Sequence, residues 1–539
     1  MGAIEKTFPL NAAQERNLRN WAEEDIPSKT LAVVVPLVAA QSLTDVRTSI
    51  DYLIGRHEAL RSRLGRTLHG MPVQEVMETA WVTSGLECDY HQVSSSQDPV
   101  EFASTLRAKY IDPIQYSSRC SFYLKGDEVV AVMLSVSHVF VDGISRRILT
   151  RELTDFLHGG RHSPESPPQA SDYSDDAASP IVQKNTQYWK TILATVPRSC
   201  TYSGAVRDPY ERVEMAKVTL TPDQASRIMA ACSVLRVTPY ALWVTSMSAL
   251  VQRATRQYNQ VFRSTYANRL TAKDYRAVAQ LAQAAFVPLM GTEHESLMAR
   301  ARGVYSSTLR TYRHGLYDAS HTVEWLNRPS AHMGATFQPA FEVNYLPAST
   351  SDRSLVEKSM IGGDYEIKTV GERMAIDAPS AKADLAILVS YEYSPWIRLD
   401  ARRPVYSQRR TSELLRNLLS IMDVLCAAPE TSISDLSVRE FRSMSGQLFG
   451  HRSGVFIDTS TTTSLVMGFP AVQSCRLEMR ADTLVAHVQA SEPVEVSEML
   501  AYYQARQPWF SGSVVPDAFC FCGTPIATGS SACHAPATL

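Results

Sequence analysis

The sequence predicts an α/β protein of two lobes followed by a small appended α+β domain. Three observations predict it. Apolar runs of strand length alternate with stretches of helical spacing through two successive halves. A segment rich in Pro, Ser and Asp between Gly159 and Pro180 reads as a surface crossover between those halves. Past residue 440 the composition changes again, with residues 443–463 rich in Ser, Thr and Gly. The expected boundaries are 1–180, 181–440 and 441–539, and 539 residues exceed one ordinary core.

In the first half, Asn11 stands where it can cap a helix. Leu31 to Leu37 is an apolar run, and Val46, Ile50, Leu53 and Ile54 then recur at helical core spacing. That helix leads to Arg56-His57-Glu58-Ala59-Leu60-Arg61, which by pattern alone is a cation-rich helix end facing solvent. Residues 129–136 are almost unbroken apolar and read as a strand buried on both faces. From Ile144 the pattern becomes Ile148, Leu149, Leu153, Phe156 and Leu157, a helical stripe with Arg146, Arg147, Arg151 and Glu152 on the other faces. The second half reads as a strand at 214–220, a helix opening at Thr221-Pro222, and a long amphipathic helix from Pro239 to Arg253. A strand ending in Asn268-Arg269, another at 341–345 and a closing helix from Arg398 to Val424 complete it.

The charge balance is near neutral, with 20% charged residues and a formal net charge of -2, which argues against a nucleic-acid surface or a polybasic membrane anchor. No stretch approaches the roughly 18 apolar residues of a membrane span, and residues 1–10 lack an apolar signal core. A cytoplasmic enzyme is expected. The nine cysteines do not suggest a disulfide scaffold. Cys520, Cys522, Cys533 and His534 lack the paired Cys-x-x-Cys knuckles of structural zinc sites, so no metal is expected.

Chemistry concentrates where the buried strand meets the helix, at Ser137-His138-Val139-Phe140-Val141-Asp142-Gly143. An imidazole placed there, partly out of water, can accept a proton. Gly143 permits a tight turn, and a buried Asp142 must find a cation or hydrogen-bond donors.

This stretch resembles the active-site motif of the chloramphenicol-acetyltransferase-like superfamily, most closely that of nonribosomal peptide synthetase condensation domains. There the motif usually opens with two His, and Ser137 stands at the first. Arg56 to Arg61 matches the second condensation motif, Arg-His-Glu-x-Leu-Arg. Phe8 to Arg16, Gln187 to Leu193, Leu281 to Met290 and Tyr312 to Gly315 resemble others, with Ala285 and Met290 departing from the usual Asn and Arg. The resemblance runs from about residue 5 to residue 435.

It implies two chloramphenicol-acetyltransferase-like lobes in a V-shaped pseudo-dimer, with a substrate tunnel between them. It implies His138 as general base, the Gly143 N–H as an oxyanion donor, and Asp142 as a structural residue paired with Arg269 or, as second choice, Arg56. Ser137, Ser145, Arg61, Asn344 and Tyr345 are expected along the tunnel. The implied substrates are an acyl or aminoacyl thioester on the phosphopantetheine of an acyl or peptidyl carrier protein, or of coenzyme A, and an amine or alcohol, free or carrier-bound. No resident cofactor is expected. The implied activity is that of a free-standing condensation enzyme; a coenzyme A-dependent O-acyltransferase and a non-catalytic recruitment domain are the alternatives. Residues 484–488, 497–506 and 515–519 resemble the small C-terminal subdomain of adenylation enzymes in degenerate form, with Ser530 at the position of its Lys.

Overall fold

The computed structural model describes residues 4–19, 29–94, 102, 106, 108–159, 165–174, 179–198, 213–326, 334–335, 337–347, 366–370, 383–391, 395–402, 407–438, 448–450, 456–510 and 513–521. They divide into two compact units.

The first unit comprises Met1–Thr186, Tyr266–Gln283 and Gly315–Ser320. Its elements are β1 (Ile4–Pro9), α1 (Ala12–Arg19), β2 (Thr30–Ser42), α2 (Leu43–Arg56), β3 (Ser62–Arg66), β4 (Pro72–Met77), α3 (Thr79–Gly85), β5 (Cys88–Gln92), β6 (Ser118–Lys125), β7 (Glu128–Ser137) and α4 (Gly143–Leu157), with α5 (Pro180–Leu193) leading out of it. The main sheet runs β2-β7-β6-β5, and β1-β4-β3 form a small second sheet. β7 pairs antiparallel on both sides, with β2 and with β6. One face of β7 packs Val132, Leu134 and Val136 against Val46, Ile50 and Leu53 of α2 and Leu149 and Leu153 of α4. The other face sets Ala131 and Met133 against Tyr123, Ala32 and Val34. Two covered faces explain the unbroken apolar run. Each aliphatic side chain so buried stabilises the unit by about 1.5–3 kcal/mol.

Helix α1 begins at a reciprocal cap: the Gln14 N–H donates to Asn11 Oδ1 at 2.9 Å and the Asn11 N–H to Gln14 Oε1 at 3.1 Å. The cation-rich segment after α2 departs from the solvated face its pattern suggests. It is a turn of 3-10 helix, Glu58–Arg61, with all four residues buried, because each charge it carries has a partner inside the unit.

The second unit comprises Gln187–Thr265, Ala284–His314 and His321–Leu539. It contains β8 (Val213–Thr219), α6 (Pro222–Leu235), α7 (Pro239–Thr255), β9 (Gln260–Tyr266), β10 (Gln283–Leu289), α8 (Leu297–Arg313), α9 (Ala319–Leu326), β11 (Glu342–Leu346), β12 (Glu366–Val370), β13 (Leu385–Ser390), β14 (Trp396–Arg402) and α10 (Gln408–Ala427). Its sheet runs β10-β9-β11-β13-β14-β8-β12. Two expectations change here. Residues 396–402 are a strand between β13 and β8, so the closing helix begins at Gln408. Helix α7 is buried along its whole length from Tyr240 to Gln252 rather than amphipathic. Its hydroxyls tolerate this because Thr245 and Thr255 donate to the carbonyls four residues back, at 2.7 and 2.8 Å, and Ser248 donates to Gln260. Among the described residues, no single helix is long and apolar enough to cross a membrane.

The C-terminal residues count with the second unit. Short strands at Leu448–Gly450 and Phe456–Asp458 precede a helix at Thr459–Met467, a hairpin of Val472–Arg480 with Thr483–Ala490, a helix at Val496–Arg506 and a strand at Ala518–Phe521 parallel to the hairpin. Leu465, Val488, Met499, Tyr503 and Phe519 form their core. The Val515 N–H donates to the Gly334 carbonyl at 2.7 Å, so this layer is joined to the preceding sequence. Cys522, Cys533 and His534, and Ser530 with its neighbours, lie outside the described residues.

Candidate active site

Strand β7 ends at Ser137, and the chain turns by donating the Phe140 and Val141 N–H groups to the Ser137 carbonyl, at 3.1 and 3.3 Å. Of the six residues from Ser137 to Asp142, only His138 is not buried. Its backbone is pinned on both sides: its N–H donates to the Lys29 carbonyl at 2.9 Å, and its carbonyl accepts from Asn17 Nδ2 at 3.0 Å. The imidazole is tied to nothing comparable, and Nδ1 is buried with no hydrogen-bond partner among the described residues. The backbone is therefore held by two hydrogen bonds at the residue of the turn that is only half-buried.

Asp142 closes the turn and caps α4, accepting from the Ser145 N–H at 2.8 Å. Its Oδ1 also accepts from Ser145 Oγ at 2.9 Å and Arg269 Nη2 at 3.0 Å. Oδ2 accepts from Arg269 Nη1 at 2.6 Å and from the Leu281 and Ala282 N–H groups, both at 3.1 Å. Both charged side chains are fully out of solvent. Burial pushes the Asp142 carboxyl up, but the Arg269 guanidinium and the N–H donors outweigh it, and the net shift is below the ordinary aspartate value. Arg269 is itself saturated by carbonyls: Nε donates to Asp274, Nη1 to Ala267 and Nη2 to Ala277. Every donor around this carboxylate is thus held by the fold, and the carboxylate faces inward.

The structure separates the other residues named from the sequence. Arg56 pairs with Glu152 at 3.5 Å, not with Asp142. Arg61 is buried on Glu5 and the Met77 carbonyl, at 2.5 and 2.7 Å. Ser137 is buried, its Oγ accepting from the Val139 N–H at 3.4 Å, and Ser145 is buried between Asp142 and Ala279. Neither serine lines an open passage; both brace the turn. Asn344 and Tyr345 sit on β11 in the second unit, Asn344 exposed and Tyr345 with its ring 5.8 Å from those of Tyr240 and Tyr391.

Gly143 differs from its expected role. It is not among the glycines of positive φ. It is the first residue of α4, and a Cβ added to it would meet no heavy atom within 4 Å. The turn is made by residues 138–141 instead, so glycine here leaves open space beside a helix N-terminus whose N–H has no intrahelical partner.

Some site residues leave no mark in the sequence pattern. Leu281 and Ala282 act through backbone N–H groups, for which side-chain identity is silent. Asn17 carries a signal only in being a polar residue on α1. The matching segment Arg56 to Arg61 proves to be a clamp: His57 Nε2 meets Glu152 of α4 at 2.7 Å, and Glu58 meets Lys6 at 2.6 Å and the Ser171 N–H at 3.1 Å.

Residues 4–444 match the family model described as the condensation domain. Similar curated proteins include a polyketide synthase-nonribosomal peptide synthetase, pyiS, of Pyricularia grisea, 21% identical over 65% of this chain and 9% of its own length. Tyrocidine synthase 3 of Brevibacillus parabrevis is 19% identical over 81% of this chain and 7% of its own length. This chain therefore spans less than a tenth of either relative. Among solved structures, the condensation domain of the Monacolin K polyketide synthase MokA superposes with a TM-score of 0.63 at 15% identity, covering 80% of this chain and all of that one. The first condensation domain of the calcium-dependent antibiotic synthetase, bound to a substrate analogue, gives 0.60 at 13%, covering 81% and all of that chain. A family match across this much of the sequence, over a fold that those structures share, makes this chain a member of the condensation-domain family.

Proposed function

We propose that this chain transfers an acyl or aminoacyl group from a phosphopantetheine thioester on a carrier protein to an amine or alcohol. His138 takes the proton from the nucleophile as it attacks the thioester carbonyl. The C–N or C–O bond forms, the C–S bond breaks, and the thiolate leaves and takes up the proton from His138. General-base assistance of this kind contributes about 10²–10⁴-fold. The Gly143 N–H, at the start of α4 and beside open space, donates to the developing oxyanion. Asp142 and Arg269 do not touch substrate; they are positioning residues that fix the turn. The observation that carries the reading is that His138 alone escapes burial in an otherwise buried turn. Membership of the condensation family supports the reaction class, and the synthetase names of the relatives support a carrier-bound donor.

The test offers one acyl group on a carrier protein and on coenzyme A, each with an amine and with an alcohol, and follows acyl loss and product by intact mass. Faster transfer from the carrier is expected. Faster transfer from coenzyme A would favour an O-acyltransferase, and tight carrier binding without turnover of any acyl group tried would favour a recruitment role.

A further inference from the structure

A planar peptide unit leaves each residue two soft torsions, so the direction in which a side chain leaves the backbone is set once the peptide units on both sides of its Cα are held. His138 has one hydrogen bond on each. Its N–H donates to the Lys29 carbonyl at 2.9 Å, which holds the unit shared with Ser137. Its carbonyl accepts from Asn17 Nδ2 at 3.0 Å, which holds the unit shared with Val139. The other end of that second unit is held weakly, since the Val139 N–H reaches Ser137 Oγ only at 3.4 Å. Asn17 therefore supplies the stronger restraint on the side of His138 that faces the rest of the turn.

Asn17 can restrain the turn because α1 is itself fastened at its other end. Asn11 Nδ2 donates to the Gln280 carbonyl at 3.1 Å, and Gln14 Nε2 donates to Gln74 Oε1 of β4 at 2.5 Å. Both side chains are buried. Gln280 immediately precedes Leu281 and Ala282, whose N–H groups hold Asp142, and Phe8, just before the helix, packs with Ala279 and Leu281. The segment that fixes the Asp142 end of the turn thus also anchors the helix that reaches the His138 end.

We infer that Asn17 is a positioning residue for the transfer proposed above: through the His138 carbonyl, its side-chain amide sets the direction of the His138 Cα–Cβ bond and so places the ring against the proton of the nucleophile. The inference rests on the reading of His138 as the base. Asn17 acts on the backbone of His138 and not on substrate, so it governs the chemical step and not the binding of the donor.

Asn17→Leu removes the amide at similar side-chain size, and Asn17→Gln keeps it on a longer stem. Single-turnover transfer from a saturating acyl-carrier donor is measured for both, for His138→Ala and for the Asn17→Leu/His138→Ala double variant, beside the donor Kd and the melting temperature of each. Because a misplacement on the order of 1 Å costs about 10²-fold, Asn17→Leu should be slowed about 10- to 10²-fold with its donor Kd unchanged. Asn17→Gln should recover part of that loss. In the His138→Ala background Asn17→Leu should have no further effect, because its influence runs through the ring that has been removed. A merely structural role would instead multiply the two losses and lower the melting temperature of Asn17→Leu in step with its rate. Histidine-selective ¹³C NMR, with the His138 resonance assigned by its loss in His138→Ala, reads the ring without turnover: Asn17→Leu should move that resonance and leave those of the other histidines in place. Should Asn17→Leu fail to fold, Asn17→Asp, of the same shape but without an N–H donor, takes its place. A native rate in the Asn17 variant, a full further loss in the double variant, or an unmoved His138 resonance would each overturn the inference. A native rate in His138→Ala would remove the base assignment and this inference with it, whereas a slow His138→Ala beside a native-rate Asn17→Leu would remove this inference alone.

Discussion

Asp142 accepts six hydrogen bonds in a space from which water is excluded, two of them from an arginine that is equally buried. Removing one member of such a pair strands the other charge, at a cost on the order of 3–5 kcal/mol. Asp142→Ala should lower the urea-denaturation free energy by about that much, and activity should fall with it because the His138 turn loses its anchor. The pair also sets an acid dependence. The folded carboxyl titrates below its ordinary value, so the unfolded chain binds the extra proton first. The stability it adds is present above the unfolded value and is lost as pH falls through the folded one. Stability measured from pH 6 down to pH 2 should therefore decline less steeply in Asp142→Asn than in the native chain. Ser137→His, which restores the usual first His, should destabilise by about 1–3 kcal/mol through overpacking, since Ser137 has no solvent-exposed surface. Its effect on turnover should be smaller than that of His138→Ala. The His138 and Asp142 positions were legible because an apolar strand running into a charged turn is a local pattern. Arg269 as partner was named only through family resemblance, since no periodicity reports a contact 127 residues away.

At the scale of elements, α4 carries both the Gly143 N–H and the Asp142 cap, and the clamp from Arg56 to Arg61 holds it. His57, only 1% exposed, reaches Glu152 in the third turn of α4. Glu152→Ala should cost about 1–3 kcal/mol by leaving a buried imidazole nitrogen unpaired. Thermal denaturation would show it, and an unchanged midpoint would mean the contact does not hold the helix. The clamp read as a solvated face because four ionisable groups in six residues ordinarily seek water; pairing inside the unit reverses that preference. Helix α7 misled in the same way, since hydroxyls that bond to their own helix count as polar in any pattern while behaving as packing groups. Strand β14 did carry a signal. Ile397, Leu399 and Ala401 are buried in strict alternation with half-buried Arg398 and Asp400, a period of two that the neighbouring helical stripe from Leu414 to Ile421 concealed.

Across the whole molecule, the first unit is not a continuous length of chain: residues 266–283 and 315–320 return to it after the second unit has begun. The return delivers Arg269 and the Leu281 and Ala282 N–H groups to Asp142, which makes the turn that carries His138 depend on sequence far beyond the apparent end of its own lobe. Two α/β lobes were legible from alternation and composition; this return was not, because it has no regular spacing of its own. The dependence separates two kinds of damage. Variants at Asp142 or Arg269 should alter folding and turnover together, whereas a variant at His138 should alter turnover alone, its ring making no hydrogen bond through Nδ1. The most direct test is single-turnover acyl transfer by His138→Ala from a saturating acyl-carrier donor, read by intact mass beside the melting temperature of the same preparation. A rate at least about 10²-fold below the native chain with unchanged melting is the expected result; a native rate from well-folded His138→Ala would contradict the assignment of His138 as the base.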